Sequence, residues 1–326
     1  NSEIRNNGFF LQLKGYESQV YLDFYQVFDE EGLYQRLADD LKGRGIRDIE
    51  LRKKELHLSP IHNAFARFLH PSLISPIKQA ILQGGGFQKV SYEDYWSYYD
   101  DFLDECLHLG YGSYESKERT IRAFEKNLDS LDRLSRLSHP NRRPHGGDQA
   151  GYYHRGLTIM PEAPLLLYSW VLLSPLEHFV GNQTAHSNGR ALVADLLLPR
   201  QFDHALREQG IADHFLRHLY DLILVLIQHS HWSEGETKSL DSRNLLEQII
   251  REESVAWILE LHTDNNVEWY RGEAMQELFW WLNTLSILEQ VKKGRSFSEE
   301  SGSFAHIRRW IQALSLKHIS EPTRPY

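Results

Sequence analysis

The chain has 326 residues, of which 41% are hydrophobic and 25% are charged, and its formal net charge is −9 at pH 7. This length allows about two globular domains, and the negative charge argues against nucleic acid or an anionic membrane as a partner. Cys106 is the only cysteine, which excludes an intrachain disulfide and favours a cytoplasmic protein.

In the N-terminal residues, apolar and polar side chains alternate with the two-residue period of a β-strand. GFFLQL at residues 8–13 and QVYLDF at residues 19–24 flank Lys14 and Gly15, which predicts a short hairpin. Because two strands alone are only marginally stable, we expect their sheet partners to precede the first residue. Residues 1–25 are therefore interpreted as the last strands of an upstream β domain, in a chain that is truncated at its N-terminus.

From Asp29 the hydrophobic period becomes that of a helix. Leu33, Leu37 and Leu41 recur every four residues, and Asp29 can cap this helix at its N-terminus. Similar apolar stripes, interrupted by proline and glycine, predict further short helices joined by tight connections. Residues 26–139 are therefore interpreted as a helical subdomain.

The segment at residues 139–156 reads HPNRRPHGGDQAGYYHRG and has no apolar period. Its prolines and glycines predict a linker, so we place the linker at residues 140–156 and a second helical subdomain at residues 157–314. Leu157–Phe179 is the most apolar stretch, but its prolines make it too broken to span a bilayer as one helix. The predicted fold is mainly α: a multi-helix bundle preceded by a short β-hairpin.

Three patterns in these subdomains predict particular helices. Residues 113–137 form a long amphipathic pattern with a nearly heptad seam. Residues 222–227 (LILVLI) would suit a strand, but their position after helically spaced apolar residues favours a core helix. Residues 267–291 predict a short extended segment followed by an amphipathic helix, in which Trp280 and Trp281 are expected to serve packing.

An aromatic stripe offers the best candidate for ligand contact. Tyr92, Trp96 and Tyr99 stand at positions i, i+4 and i+7 of a predicted helix. Aromatic faces stack on sugar rings, so these three residues are candidate carbohydrate contacts. The alternative is packing in a core or an interface, which is the commoner use of such a stripe.

The 17 histidines make metal binding worth considering. Histidine pairs occur at His62/His70, His214/His218 and His229/His231, and His214 and His218, four apart on a predicted helix, could face one metal ion. Beyond Asp221 no third ligand is evident at helical spacing, and no zincin motif follows His214. We therefore predict no metal and no cofactor, and a histidine-dependent metalloenzyme remains an alternative.

No pattern of catalytic residues is recognisable elsewhere in the sequence. Asp100, Asp101, Asp104 and Glu105 are spaced as on the solvated face of a helix rather than as a pair of catalytic carboxylates. The sequence contains no G-x-S-x-G elbow, no P-loop and no G-x-G-x-x-G after a strand. We therefore predict no catalytic residue within this chain.

Three stretches carry a family resemblance. GFFLQLKGYESQVYLDF at residues 8–24 resembles the end of the β-sandwich domain that follows the catalytic barrel in α-amylase-like enzymes of glycoside hydrolase family 13. The stretch from Val20 to Phe65 is similar to the segment that follows this sandwich in long bacterial amylase-like proteins. VEWYRGEAMQELFWWL at residues 267–282 resembles a motif near the C-termini of those proteins.

The resemblance implies a parent protein that acts on α-glucans by hydrolysis or transglycosylation. Its catalytic Asp and Glu would stand on barrel strands that this chain does not contain, so no catalytic residue is carried over. Residues 1–25 would then end a truncated β-sandwich. The helical region would be a non-catalytic C-terminal part whose partners are the upstream catalytic barrel and, through substrate access, α-glucan. An independent helical module for protein–protein interaction is the main alternative.

The C-terminal residues are expected not to be native. LSLKHISEPTR at residues 314–324 resembles the translated end of an adapter used in sequencing libraries. Ser315–Tyr326 are therefore set aside as a non-native tail when the fold is predicted.

Overall fold

The structure is a computed structural model that describes residues 15, 16, 18, 27–87, 92–137, 149–180, 185–208, 210–233, 242–264, 267–294 and 302–318. The described residues are mainly helical, which confirms the predicted fold class. The strands predicted at residues 8–13 and 19–24 lie outside the described part. The hairpin that the structure does describe is at residues 262–269.

The chain divides into two compact units, residues 1–57 and residues 58–326. The described helices of the first unit are α1 (Leu33–Leu41) and α2 (Ile49–His57). The Asp29 carboxylate accepts hydrogen bonds from the backbone N–H groups of Tyr34 at 3.0 Å and Gln35 at 2.9 Å. These bonds satisfy donors that a helix start leaves unpaired, so the predicted capping role of Asp29 is confirmed.

An ion pair joins the two helices of the first unit. The Arg52 guanidinium on α2 donates to both carboxylate oxygens of Asp40 on α1, each at 2.9 Å, and also to Glu55. Within α1 and α2 only Leu37 is buried. Polar contacts, of which this bidentate pair is the strongest, therefore join these helices rather than a large apolar interface.

The second unit contains the other described elements. Its helices are α3 (Ser59–Ala66), α4 (Pro71–Gln83), α5 (Tyr92–His108), α6 (Tyr114–Leu137), α7 (Gln149–Ile159), α8 (Ala163–Leu173), α9 (Ala185–Asp195), α10 (Asp203–Glu208), α11 (Asp213–Gln228), α12 (Ser242–Ile250), α13 (Glu253–Ile258), α14 (Gly272–Lys292) and α15 (Gly302–His318). Short 3₁₀ turns follow α3, α8 and α9, at Arg67–Leu69, Ser174–His178 and Leu198–Phe202. Strands β1 (His262–Asp264) and β2 (Val267–Trp269) pair antiparallel between α13 and α14.

Aromatic side chains from α3, α5 and α6 form one part of the core. The ring of Tyr99 lies parallel to the ring of Phe124 with centroids 4.0 Å apart, and the Tyr99 hydroxyl donates to the Leu172 carbonyl oxygen at 2.9 Å. Phe68 meets Tyr99 edge-on. The long amphipathic pattern predicted at residues 113–137 is thus confirmed as α6, with its apolar face in this core.

Two other predictions about the core are confirmed. Residues 222–227 lie in α11, so the run is helical rather than a strand. The extended segment followed by a helix after residue 267 is present as β2 and α14, in which Trp280 and Trp281 are buried. Helix α8 is buried on every side, which explains why its sequence is apolar without a period.

The linker predicted at residues 140–156 is wrong for residues 149–156, which form most of α7. The Trp280 indole on α14 donates to the Tyr153 carbonyl oxygen at 2.9 Å, and the two rings stack with centroids 5.7 Å apart. A Cβ atom at Gly156 would lie 1.9 Å from Trp280 Nε1. This glycine therefore permits a close helix contact, whereas its sequence context suggested a loop.

The predicted boundary between two helical subdomains is also not where the chain divides. Helices on both sides of residues 139–156 contribute to one hydrophobic core, which includes Phe124, Leu166 and Trp281. The division into units falls instead after His57. Pairing of α4 with α8, and of α6 with α14, is a long-range contact that a local break in hydrophobic period does not reveal.

Within the described residues, no single helix combines the length and the apolar character that a membrane span requires. The segments Gly151–Ile159 and Ala163–His178 meet this requirement only as a pair, and they are bent by 109° relative to each other. Much of this pair is buried in the core described above.

Candidate functional site

The aromatic stripe that the sequence offers for carbohydrate contact does not form one exposed surface. Tyr99 is fully buried and stacked on Phe124, so its ring is not available to a ligand and the prediction for this residue is wrong. Tyr92 is half-buried, and Trp96 is 41% exposed, with ring centroids 6.1 Å apart. The helix turns Tyr95 and Tyr99, four residues apart, into the core and leaves Trp96 at its solvent edge.

A larger candidate site lies elsewhere in the second unit, in a cavity of about 790 Å³ that we call the Trp257 cleft. Its walls come from the start of α8, from α11, from α13 and from the start of α14. The lining residues are Glu162, Ile211, Phe215, His218, Leu219, Ala256, Trp257, Ile258, Glu260, Leu261, Arg271 and Glu277. Its volume is in the range of sites that hold small organic ligands.

Two aromatic rings at the Trp257 cleft are exposed to solvent. Trp257 is 47% exposed and Phe215 is 51% exposed. On α13 the neighbouring Val255 and Ile258 are buried, so the helical period directs Trp257 outward. The Arg217 guanidinium lies 5.4 Å from the centroid of the Trp257 ring, which helps to hold the ring in place.

Polar groups converge on the same cleft. His218 Nε2 lies 3.8 Å from Glu277 Oε2, and the Arg271 guanidinium donates to Glu260 at 2.8 Å. Burial raises the pKa of Glu162 above its ordinary value, and the negative charge of Glu277 raises it further. Carboxylate, imidazole and guanidinium groups are hydrogen-bonding partners for hydroxyl groups, and the exposed rings offer apolar faces. The arrangement can therefore hold a neutral polyhydroxylated ligand.

The Trp257 cleft is not evident from the sequence, because its lining comes from four separate stretches of the chain. None of these stretches carries a recognisable motif of its own, and the spacing between them is set by tertiary packing. One signal was present: the stretch at residues 267–282, singled out by its resemblance, contributes Arg271 and Glu277 to the cleft.

The histidines of the two described pairs, His62/His70 and His229/His231, have separate partners. His62 contacts the carbonyl oxygen of Leu196, and His70 contacts the Ser72 hydroxyl. His229 pairs with Glu252 at 3.2 Å and His231 with Glu177 at 2.9 Å. The side chain of His214 lies outside the described part of the chain. Among the described residues, no three His, Cys, Asp or Glu side chains are grouped closely enough to hold a metal ion.

The acidic cluster on α5 is an ion-paired surface. Lys117 Nζ lies 2.8 Å from Asp100 and 2.5 Å from Asp104, and Arg67 lies 2.5 Å from Asp101. The three carboxylates are about half exposed. Asp100 and Asp104 share Lys117, and Asp101 pairs with Arg67, which agrees with the solvated helix face that the sequence predicts.

No protein-family model, curated protein or solved structure matches the chain. Its class is therefore defined by the fold alone: a mainly helical protein whose larger unit carries an aromatic cleft with convergent polar groups.

Proposed function

We propose that this chain is a non-catalytic helical C-terminal region of an α-glucan-acting glycoside hydrolase or glucanotransferase, and that the Trp257 cleft contacts the glucan. The single observation that carries the proposal is the pairing of exposed aromatic rings with ionisable groups in this cleft. Trp257 offers a flat apolar face, and Glu162, His218 and Glu277 stand beside it. Such a surface suits a sugar ring, whose faces are apolar and whose edge carries hydroxyl groups.

The resemblance in sequence supports the same proposal. Arg271 and Glu277 belong both to the stretch that resembles a motif of α-amylase-like proteins and to the lining of the cleft. The proposed partner is the catalytic barrel of the same parent chain, and the cleft would bind glucan that enters or leaves that barrel. The proposed location is the cytoplasm, supported by a single, buried cysteine, Cys106, that has no partner for an intrachain disulfide.

A comparison of two tryptophan variants tests the proposal. Maltoheptaose is titrated calorimetrically into the full chain, into Trp257→Ala and into Trp96→Ala. We expect Trp257→Ala to weaken binding about tenfold, because the stacking face is removed. Trp96→Ala is the matched control, since Trp96 is a similarly exposed tryptophan outside the cleft. A loss confined to Trp96→Ala would move the site to the aromatic stripe and reject the cleft.

An independent helical module for protein–protein interaction is the second candidate. The same observation favours it, because exposed Trp257 and Phe215 beside a cavity could receive an apolar side chain of another protein. The maltoheptaose titration distinguishes the two candidates, because only the first predicts saturable glucan binding. Absence of saturable glucan binding, with the chain folded, would reject the first candidate and leave the interaction module.

A further inference from the structure

A second cavity, of about 380 Å³, lies in the same unit and shares no lining residue with the Trp257 cleft. We call it the His231 cavity. One wall is a face of α6, and the others come from the turn that follows α8, from the residues after α11 and from the end of α14. Nothing in the proposed glucan contact uses it.

Cations dominate the lining of the His231 cavity. Arg119, Arg122 and Lys126 stand at positions i, i+3 and i+7 of α6, which places them on one helix face. Lys292 and His231 add further positive charge from the opposite side. Against these five groups the lining contains two carboxylates, Glu177 and Glu289.

The two carboxylates are buried and already paired. Glu177 Oε1 lies 2.9 Å from His231 Nε2, and Glu289 Oε1 lies 2.7 Å from Lys292 Nζ. Glu289 Oε1 is also 3.7 Å from His231 Nδ1, a distance of an ion pair rather than a hydrogen bond. Burial lowers the pKa of His231, but its contacts with both carboxylates outweigh burial and raise the pKa to about 9, so the imidazole is charged at neutral pH. The charges of Glu177 and Glu289 are therefore balanced by those of His231 and Lys292.

The three cations of α6 therefore carry the excess charge. Arg122 is 70% exposed and contacts Glu118 at 3.0 Å, and Arg119 lies 4.0 Å from Glu115. Exposed pairs of this kind contribute little and exchange readily for a stronger partner. Lys126 forms no ion pair within the described part of the chain. These side chains can turn toward an anion in the cavity without breaking a buried interaction.

Two neutral hydrogen-bonding side chains, Asn127 and Ser174, also line the His231 cavity. Asn127 Nδ2 donates to the Ser174 hydroxyl oxygen at 2.8 Å, and both side chains are buried. Because Ser174 Oγ accepts this bond, its own proton points away from Asn127. Among the described residues that proton has no acceptor. A bound oxygen atom in the cavity would provide one.

We propose that the His231 cavity binds the phosphoryl group of a small molecule through Arg119, Arg122 and Lys126. A phosphoryl group carries up to two negative charges on three oxygens, and it is matched by several cations better than by one. Two guanidinium groups can donate bidentate hydrogen bonds, and the lysine adds a point charge. The cavity volume leaves room for a group larger than phosphate, which fits a phosphomonoester as well as the free ion.

Calorimetric titration of the full chain with inorganic phosphate and with glucose 6-phosphate, at constant ionic strength, tests the proposal. We expect saturable binding, and tighter binding of glucose 6-phosphate if the natural ligand is a phosphomonoester rather than the free ion. The double substitution Arg122→Gln and Lys126→Gln is expected to lower the affinity about tenfold or more. Both residues are exposed, so the fold should be retained, and Lys126→Gln alone provides a milder variant.

Two control variants show whether binding depends on the residues of the His231 cavity, rather than on the overall charge of the protein or on the Trp257 cleft. Arg133→Gln removes one cation from the same helix but outside the cavity, where Arg133 is 54% exposed and pairs with Asp129. It should leave the affinity unchanged, and Trp257→Ala should do the same because the two cavities share no residue. Absence of saturable binding of either probe overturns the proposal. An equal loss in Arg133→Gln also overturns it, since only the overall field would then matter.

Discussion

Trp280 and Tyr153 fix helix α14 against helix α7 through two contacts at once. Their rings are stacked within 7° of parallel, with centroids 5.7 Å apart, and the Trp280 indole N–H donates to the Tyr153 carbonyl oxygen at 2.9 Å. The indole reaches that carbonyl because Gly156, one turn further along α7, has no side chain. The contact between these helices therefore depends on a glycine that local sequence patterns assign to a loop.

Gly156→Ala tests this dependence. We expect the free energy of unfolding to fall by about 1–3 kcal/mol, because the new methyl group would overlap the Trp280 indole. The substitution would otherwise favour a helix by about 0.5–1 kcal/mol. Denaturant unfolding measures the difference. Gly45→Ala is the control, since a Cβ there meets no atom within 4 Å. A stabilised Gly156→Ala variant would contradict the described packing.

Tyr99→Phe tests the assignment of the aromatic stripe to the core. The buried hydroxyl donates to the Leu172 carbonyl oxygen at 2.9 Å, and its loss should lower the free energy of unfolding by about 1 kcal/mol. Tyr114→Phe, at an exposed tyrosine, should leave stability unchanged. Thermal or denaturant unfolding gives both values. A Tyr99→Phe variant of normal stability that binds a glucan less tightly would instead restore Tyr99 as a ligand contact.

The ion pairs of His231 should make stability depend on pH. The folded state raises the pKa of His231 to about 9, above the 6.5 of an unperturbed histidine, because its two carboxylate contacts outweigh burial. The folded state thus binds this proton more tightly than the unfolded state. The stabilisation is full below about pH 6.5 and is lost as the pH rises through about 9.

The free energy of unfolding, measured from pH 6 to about pH 9, checks this expectation. The unsubstituted chain should lose stability over this range, and His231→Gln should show a flatter profile. His204→Gln is the control, because His204 lies exposed on α10. Equal slopes for the unsubstituted chain and His231→Gln would show that the ion pairs of His231 do not contribute to the pH dependence of stability.

At acidic pH the dependence of stability on pH is reversed, because the pKa of Glu289 is lowered in the folded state. Burial raises the pKa of Glu289, but His231 and Lys292 outweigh burial and lower it to about 2, below the ordinary 4.5. The stabilisation from this carboxylate is therefore present above about pH 4.5 and is lost as the pH falls through about 2. Glu289→Gln should have lower stability than the unsubstituted chain at neutral pH and should lose less on acidification. A steeper acid loss in that variant would contradict the assignment.

Hydrophobic period predicted the helical class of the fold, because it reports which face of a segment is buried. It succeeded for α6, where the apolar face is continuous, and for residues 222–227 in α11. It failed at residues 149–156, since Gly156 is used for a close helix contact that only the partner helix explains. Local composition cannot distinguish a glycine that permits packing from one that ends a helix.

The candidate site was less predictable than the fold. The spacing of Tyr92, Trp96 and Tyr99 placed them near one another but could not tell that Tyr99 is buried against Phe124. Trp257 and Glu162 are far apart in the sequence and meet only in the folded chain. The burial of Tyr99 and the meeting of Trp257 with Glu162 both depend on tertiary packing, so neither could be predicted from the spacing of residues within one helix.

Glucan contact at the Trp257 cleft is tested most directly by comparing the binding of α-linked and β-linked oligosaccharides. Maltoheptaose and cellohexaose are titrated separately into the full chain and into Trp257→Ala. We expect one saturable site for maltoheptaose, weakened in Trp257→Ala, and no saturable binding of cellohexaose. Equal binding of both sugars, or no maltoheptaose binding by the folded chain, would contradict the claim.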